Sequence, residues 1–195
     1  MEDNPFARCE EKGIDLADLV IEANYCLRCG HPMQDRFVFG QMRRACPACC
    51  FIFFQQLKVG AGVLVEHEGR VLLGRRSVEP GYDCWCFPAG FVEYDEPPEK
   101  AALRECKEET GLDVRITGLL DVFYYADDFR GAGILILYKA EVVGGELVPD
   151  DDLSEARFFG PDELPEDIAF VSNRQALERW RESRAAKTSD NLSWG

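Results

Sequence analysis

The 195-residue chain lacks any apolar run approaching the ~20 residues of a membrane-spanning helix. Its first residues, MEDNPFARCEEKGIDL, are acidic and carry no apolar core, so no secretory signal is expected there. Positive charge is in deficit. The 22 Lys and Arg face 36 Asp and Glu, a net charge of −14, which argues against the whole molecule binding nucleic acid because phosphate contacts need cations. Internal repeats are absent as well. Cysteine is not scarce, but its count of nine is odd and no leader is expected from the acidic first residues. That combination points away from a disulfide framework and toward thiols or metal ligands in a reducing, cytoplasmic setting.

A hydrophobic fraction of 46% and a charged fraction of 30% are those of a soluble globular protein, either one domain or a domain with a small module. The charge is uneven. From Glu22 to Lys58, five cations (Arg28, Arg36, Arg43, Arg44, Lys58) face only Glu22 and Asp35, a local +3 that leaves −17 for the remainder. Two modules are expected. Residues 1–21 form an N-terminal arm with a short amphipathic pattern (Ile14, Leu16, Leu19, Val20), 22–55 a cysteine-rich module, 56–186 the main domain, and 187–195 (KTSDNLSWG) a disordered tail.

The cysteine module contains CLRCG at 26–30 and CPACC at 46–50. Two Cys-x2-Cys knuckles can complete a tetrahedron around zinc with Cys26, Cys29, Cys46 and Cys49, at ~2.3 Å per bond. Four thiolates leave no open position, so such a zinc is structural. Cys50 competes with Cys49, which alone keeps the x2 spacing. His31 reads as a turn residue, and Cys9, Cys84, Cys86 and Cys106 as packing or surface thiols.

From Val59 the texture becomes strand-like. VGAGVLVEH and RVLLGRR flank a Glu68–Gly69 turn, and WCFP, DVRITGLLDVFYYAD, GILILYKAEVV and ARFF follow as further strands. PDELP reads as a turn with a helix start, and SNRQALERWRESRAA as a C-terminal amphipathic helix. The remaining segment, GFVEYDEPPEKAALRECKEETGL at 90–112, predicts a helix. Asp95 or Glu96 is available as its cap, Pro97 stands in its first turn and Gly111 ends it. Glu105, Glu108 and Glu109 share a stripe on that helix, at a like-charge cost of ~0.2–0.5 kcal/mol per pair. A solvated acidic face is one account of this. The other is a hard divalent cation, Mg²⁺ or Mn²⁺, which offsets the repulsion.

The full spacing decides between them. Gly90, five residues, Glu96, seven residues, Arg104-Glu105, Cys106, one residue, Glu108-Glu109, one residue, Gly111-Leu112 resembles the Nudix box, with Cys106 standing where a bulky aliphatic is usual. The resemblance to Nudix hydrolases runs from about Val59 to Ala186. It implies an α/β fold: an α/β/α sandwich around a mixed sheet, here preceded by a small zinc ribbon. It implies hydrolysis of a nucleoside diphosphate linked to another group. By the same resemblance Glu105, Glu108 and Glu109 become catalytic carboxylates and metal ligands, the Ala89 carbonyl a further ligand, and Arg104 with Glu96 the pair that orients Glu105. The general base is Glu105 or an acid outside the box, with Asp152 and Glu155 as candidates and Glu155 favoured by the resemblance.

Trp85 and Phe87 are candidates to flank a base or, alternatively, core aromatics. Arg75 and Arg76 end a strand near the site and are candidates for phosphate contact or a solvated strand end. One of Phe123, Tyr124 and Tyr125 is expected to line the pocket. The ribbon is similar to that of NADH pyrophosphatases, but their Ser-Gln-Pro-Trp-Trp run is missing. The proline that ADP-ribose enzymes often place past the box is missing too, since none occurs between Pro98 and Pro149. Zinc-ribbon members that include plastid FAD pyrophosphatases are closer in CLRCGHPM, VEHEGRVLL, FPAGFVE and ELPEDIAF. The expected substrate is a dinucleotide such as FAD, ADP-ribose or NADH, and the expected assembly a homodimer without membrane or nucleic-acid partner. The rival reading is a nucleotide-sensing regulator whose ribbon, through the local +3 and Arg43-Arg44, touches nucleic acid.

Overall fold

The computed structural model describes residues 23–126 and 131–192, with side chains through 184. The expected N-terminal arm lies outside the described residues. The chain divides into two units, Met1–Leu57 and Lys58–Gly195.

The first unit contains one antiparallel hairpin, β1 (Gln34–Val38) and β2 (Gln41–Ala45). Its two-residue turn places Phe39 and Gly40 at φ 50° and 77°, the left-handed geometry that matches the twist of the flanking strands. The core is small. Ala23, Cys26, Met33 and Cys46 are buried, with Cys49, Phe51 and Phe53 packed against them. So little apolar area rarely holds a fold alone, and metal usually supplies the difference.

The second unit is a mixed sheet. β3 (Lys58–His67) runs parallel to β8 (Gly133–Gly145), and every other pairing is antiparallel. The order is β5-β4-β3-β8-β7, with β6 also on β3 and β9 also on β4. Here β4 is Arg70–Arg76, β5 Trp85–Cys86, β6 Ala89–Phe91, β7 Leu112–Tyr125 and β9 Leu153–Phe159. The Glu68–Gly69 turn forms between β3 and β4 as expected, with both residues at positive φ.

Period-two alternation sends the sheet's side chains into two cores. Val63, Val65 and Leu72 pack with Ala101, Ala102 and Cys106 of helix α1 (Pro98–Thr110). Leu64, Val71 and Leu73 pack with Ala176, Leu177 and Trp180 of helix α2 (Val171–Leu192). Each fully buried Val or Leu stabilises the fold by about 1.5–3 kcal/mol. Both faces of the sheet are thus covered, which is why the central strands read as nearly continuous apolar runs. This is the α/β/α sandwich. Cys106 is fully buried against the sheet and fills the place of the usual aliphatic.

Three local expectations are corrected. The N-cap of α1 is Pro97, with Pro98 at the first helical position, and no side chain caps it, because Glu96 is engaged by Arg104. The PDELP stretch turns without starting a helix: the amide of Glu163 donates to the Gly160 carbonyl, and Pro165 follows. Helix α2 continues to Leu192, into the stretch read as a disordered tail. Gly111 does end α1, at φ 71° with its amide bonded to the Lys107 carbonyl. Among the described residues no helix is long and apolar enough to cross a membrane.

Candidate active site and cysteine cluster

Helix α1 lies across the β6 end of the sheet, and its i, i+4 spacing points Glu105 and Glu109 the same way. Glu109 is buried, 2% exposed, and its Oε2 accepts the Ala89 amide at 3.0 Å. Glu105 lies over Gly90, where any Cβ would collide with its carboxylate. Only a glycine leaves that space. Arg104 holds the group in register. Its Nη2 donates to Glu96 at 2.6 Å and to the Phe91 carbonyl at 3.2 Å, while Nη1 donates to Glu105 at 2.8 Å and Glu108 at 2.9 Å. The expected Arg104–Glu96 pair is present, and it ties the loop before the helix to the glutamate stripe.

The electrostatics are those of a crowded anionic site. Burial raises the Glu105 carboxyl above the ordinary range although Arg104 opposes it, and Glu108 and Asp151 add to the rise. Glu109 is pushed well above, first by burial, then by the charge of Glu105. Asp151 is also raised, by burial and by Asp152, Glu108 and Asp150. Glu96 is lowered by its bond to Arg104. One arginine does not neutralise this cluster. The excess of hard oxygen donors around the buried Glu109 and the partly buried Glu105 fits a divalent cation of the Mg²⁺ or Mn²⁺ type.

These groups wall a cavity of about 310 Å³, with Ala89, Gly90, Glu105 and Glu109 on one side and Asp151 and Asp152 on the loop before β9. Phe87 and Tyr125 contribute apolar surface. The other expected residues are elsewhere. Trp85 is a core residue, edge-on to Phe159 at 4.8 Å and flanked by Arg75 and Arg157, and it does not line the cavity. Arg75 is bound to Asp83 at 2.9 Å and faces Glu155 at 4.0 Å. Glu155, 46% exposed in its side chain and 3.8 Å from Arg157, belongs to that surface ladder and not to the cavity wall. Glu108 is half exposed, bonded to Arg104 at 2.9 Å, and does not line the cavity.

Other groups lining the cavity were not singled out in the sequence: Asp151, Phe170, Ser172 and Asn173, with Arg76 named only beside Arg75. Asn173 accepts the Phe87 amide at 2.8 Å across 86 positions of chain, a link no local pattern carries. Arg76 follows a register shift in β4, where Arg75 pairs with Glu155 but Arg76 pairs with Leu153. Simple alternation does not foresee that.

In the first unit the sulfurs of Cys26, Cys29, Cys46 and Cys49 all lie within 4.8 Å of one another. Cys26–Cys49 and Cys29–Cys46 are each 3.5 Å apart, too far for a disulfide and close to the ~3.8 Å edge of a tetrahedron with 2.3 Å zinc–sulfur bonds. The two knuckles have the same backbone. The Gly30 amide bonds to the Cys26 carbonyl and the Cys50 amide to the Cys46 carbonyl, with Gly30 at φ 71° and Cys50 at φ 59°. Cys50 therefore occupies the turn position that glycine fills in the first knuckle, and it is exposed, outside the cluster. Burial resists ionisation of Cys46, but the amides of Cys49 and Ala48 bring it down to about 7. The Phe51 amide favours a Cys49 thiolate, but burial and the neighbouring thiols push that thiol up to about 12. Four such sulfurs ionise together only around a cation, and their chemistry fits zinc.

Comparison with known proteins agrees with this geometry. The NUDIX domain family profile matches residues 56–180. An ADP-ribose pyrophosphatase of Methanocaldococcus jannaschii is 42% identical over 121 residues, covering 60% of this chain and 71% of that protein. A NAD-capped RNA hydrolase NudC of Stutzerimonas stutzeri is 30% identical over 163 residues; the alignment covers 83% of this chain but only 55% of that protein. The crystal structure of a NUDIX hydrolase from Nitrosomonas europaea superposes with a TM-score of 0.76 at 33% identity, covering 84% of this chain and 93% of that one. With the profile spanning most of the chain and the glutamate stripe built as described, the chain belongs to the Nudix hydrolase family.

Proposed function

We propose that this protein hydrolyses the pyrophosphate bond of a dinucleotide-type nucleoside diphosphate derivative such as FAD, ADP-ribose or NADH. The observation that carries this reading is the convergence of Glu105, Glu109 and Ala89 on one wall of a cavity that also has apolar surface from Phe87 and Tyr125. The names of the relatives point the same way: ADP-ribose and a NAD-capped RNA end each contain a pyrophosphate between two ribosyl groups.

Glu105, Glu109 and the Ala89 carbonyl would hold a divalent cation, with Glu108 beside them. When bound, that cation neutralises phosphate oxygens and acidifies a water. The chain's own residues do the rest. Arg104 positions Glu105, and Gly90 gives its carboxylate room. Glu109 anchors the strand before the helix through the Ala89 amide. The proton of the attacking water passes to a carboxylate of this wall. Glu105 is one candidate, and the Asp151–Asp152 loop supplies the acids from outside the box that reach the cavity. Glu155, tied to Arg75 and Arg157, is less suited than those two.

A structural zinc on Cys26, Cys29, Cys46 and Cys49, a homodimer and a cytoplasmic location complete the proposal. Light scattering of the purified protein tests the dimer. The test of function is a screen of FAD, ADP-ribose, NADH and a NAD-capped RNA with Mg²⁺ and Mn²⁺, products identified by mass. A nucleoside monophosphate released from at least one substrate supports the reading. Tight nucleotide binding without turnover under any of these conditions would favour the regulator.

A further inference from the structure

The cysteine unit carries a surface that zinc binding does not explain. In the β1–β2 ladder Arg36 stands directly opposite Arg43. Like charges so placed are destabilising. Among the described residues neither arginine has a carboxylate within ion-pairing distance, whereas Arg44, on the other face of the hairpin, is paired with Asp35 at 3.4 Å. Arg43 donates from Nη1 to Gln41 at 3.2 Å, and its Nε is buried without a hydrogen-bond partner among the described residues.

Two rings continue the arginine row. The Ala45–Ile52 bridge carries the ladder past β2 and brings Phe54 beside Arg43. The Arg43 guanidinium lies 5.0 Å from the centre of the Phe54 ring. Phe39, from the hairpin turn, stacks with Phe54 at 6.4 Å between centres and 20° between planes. Phe39 is 76% exposed and Phe54 48%. Arginines on a short hairpin also serve solubility and protect a sheet edge. Neither purpose calls for phenyl rings left in water beside them.

We infer that Arg36, Arg43, Phe39 and Phe54 form a site for single-stranded nucleic acid, with the arginines on its phosphates and the rings stacked on its unpaired bases. A polyanion supplies the counter-charge that the arginine pair lacks. Exposed rings of near-common tilt accept bases whatever their sequence. An acidic peptide would satisfy the arginines and leave the rings in water, and a duplex hides the faces of its bases. The net charge of −14 argues against nucleic acid for the molecule as a whole, but positive charge is concentrated in this unit, with a local +3 from Glu22 to Lys58. The inference concerns the cysteine unit and goes beyond the hydrolase reading of the second unit.

The probe is a fluorescein-labelled strand of about 12 uridines, titrated into the full-length protein at about 50 mM salt with the cysteine-bound metal left in place. Its 5′ end is a hydroxyl, so it offers no pyrophosphate. Oligothymidine of equal length separates RNA from DNA as the source, and a preference for either names it. A duplex of equal length tests the need for unpaired bases, and inorganic polyphosphate tests charge alone. Saturable binding of a single strand is expected, about 10-fold or more tighter than of duplex or polyphosphate. Phe39→Asn should weaken it about 5- to 100-fold, the loss of one stacked base, and asparagine tolerates the φ of 50° at that turn. Arg36→Gln should weaken it too and flatten the slope of log K against log salt by about 0.7. Both positions are exposed, so both variants should keep about one zinc per chain and normal turnover of a small dinucleotide. If Phe39→Asn loses zinc, Arg36→Gln decides.

No saturable binding by the wild type overturns the site. So does undiminished binding by a zinc-retaining variant, or polyphosphate binding as tight as that of the strand. A halved mass of either variant by light scattering without nucleic acid also overturns it, because the face would then join two copies of the chain. None of these results touches the hydrolase reading, which turnover of a pyrophosphate substrate decides.

Discussion

The Glu105 carboxylate occupies the space that a side chain on Gly90 would fill. Gly90 is therefore a steric partner of helix α1 and not a turn residue; its backbone sits in a strand pairing with Ala61. Gly90→Ala should force Glu105 away from the cavity or shift β6. Displacements near 1 Å at a catalytic group cost about 100-fold in rate, and overpacking costs about 1–3 kcal/mol in stability. Steady-state turnover and thermal melting of this variant check both. Near-normal turnover would show that the exact seat of Glu105 is unimportant.

Arg104 makes a separate prediction because it touches three carboxylates and a backbone carbonyl. Lysine keeps the charge but has no planar fork. Arg104→Lys should therefore lower kcat about 10- to 100-fold with little change in KM, and it should weaken the apparent affinity for Mg²⁺ because Glu105 is less well held. A metal titration of activity separates these effects. Equal activity and metal affinity in the variant would assign Arg104 to surface stabilisation alone.

How much of this was visible in the sequence follows the distance along the chain. The glutamate stripe, Arg104 with Glu96, and Gly111 lie within 22 positions of Gly90, and helical periodicity places them relative to one another without tertiary information. The same holds for the knuckles at Cys26–Cys29 and Cys46–Cys49. The layered architecture was also legible, since strands read on both sides of a central helix with a second helix at the end. The opposite wall was not. Asp151, Arg76 and Asn173 reach the cavity through the β4–β9 pairing, a one-residue register shift and a helix almost 90 positions downstream of Phe87. Glu155 drew attention as the candidate base that the family resemblance favours. Its partner Arg75 comes from a different strand, and that pairing directs it to the sheet surface. Trp85 stands beside the box in sequence, but the core claims it through Phe159.

The cysteine cluster predicts a clear difference between adjacent thiols. Cys49→Ser should abolish stable metal binding and unfold the ribbon, because each of four sulfurs completes a closed tetrahedron. Cys50→Gly should retain it. That residue is exposed, holds φ 59° at the position of Gly30, and glycine relieves a left-handed strain of about 1–2 kcal/mol against its greater unfolded-state entropy. Elemental analysis of both variants, purified without chelator, should find about one zinc per chain in Cys50→Gly and almost none in Cys49→Ser. Loss of zinc from Cys50→Gly would move the fourth ligand to Cys50.

The crowding of carboxylates on α1 predicts opposite effects on activity and on stability. Glu109 is buried beside Glu105, and its carboxyl is raised well above its ordinary value of 4.5 by burial and by that neighbour. An acid whose pKa is raised on folding binds more protons in the folded state. Its contribution to stability is therefore fully present below the unfolded pKa and is lost as pH rises through the folded value. In protein free of Mg²⁺ and Mn²⁺, Glu109→Gln should match the wild type near pH 4.5 and exceed it increasingly toward neutral pH. The melting temperature should rise by about 2–4 °C for each kcal/mol relieved, because Gln keeps an oxygen for the Ala89 amide. Saturating Mg²⁺ should close the gap by stabilising only the wild type. Hydrolysis, in contrast, should fall by two or more orders of magnitude at every pH, since the metal loses a charged ligand. Melting curves from pH 4.5 to 8, with and without Mg²⁺, and turnover on the best substrate from the screen make the comparison. A variant less stable than wild type at pH 8 without metal would mean that Glu109 is retained for folding, and normal turnover would remove it from the metal site.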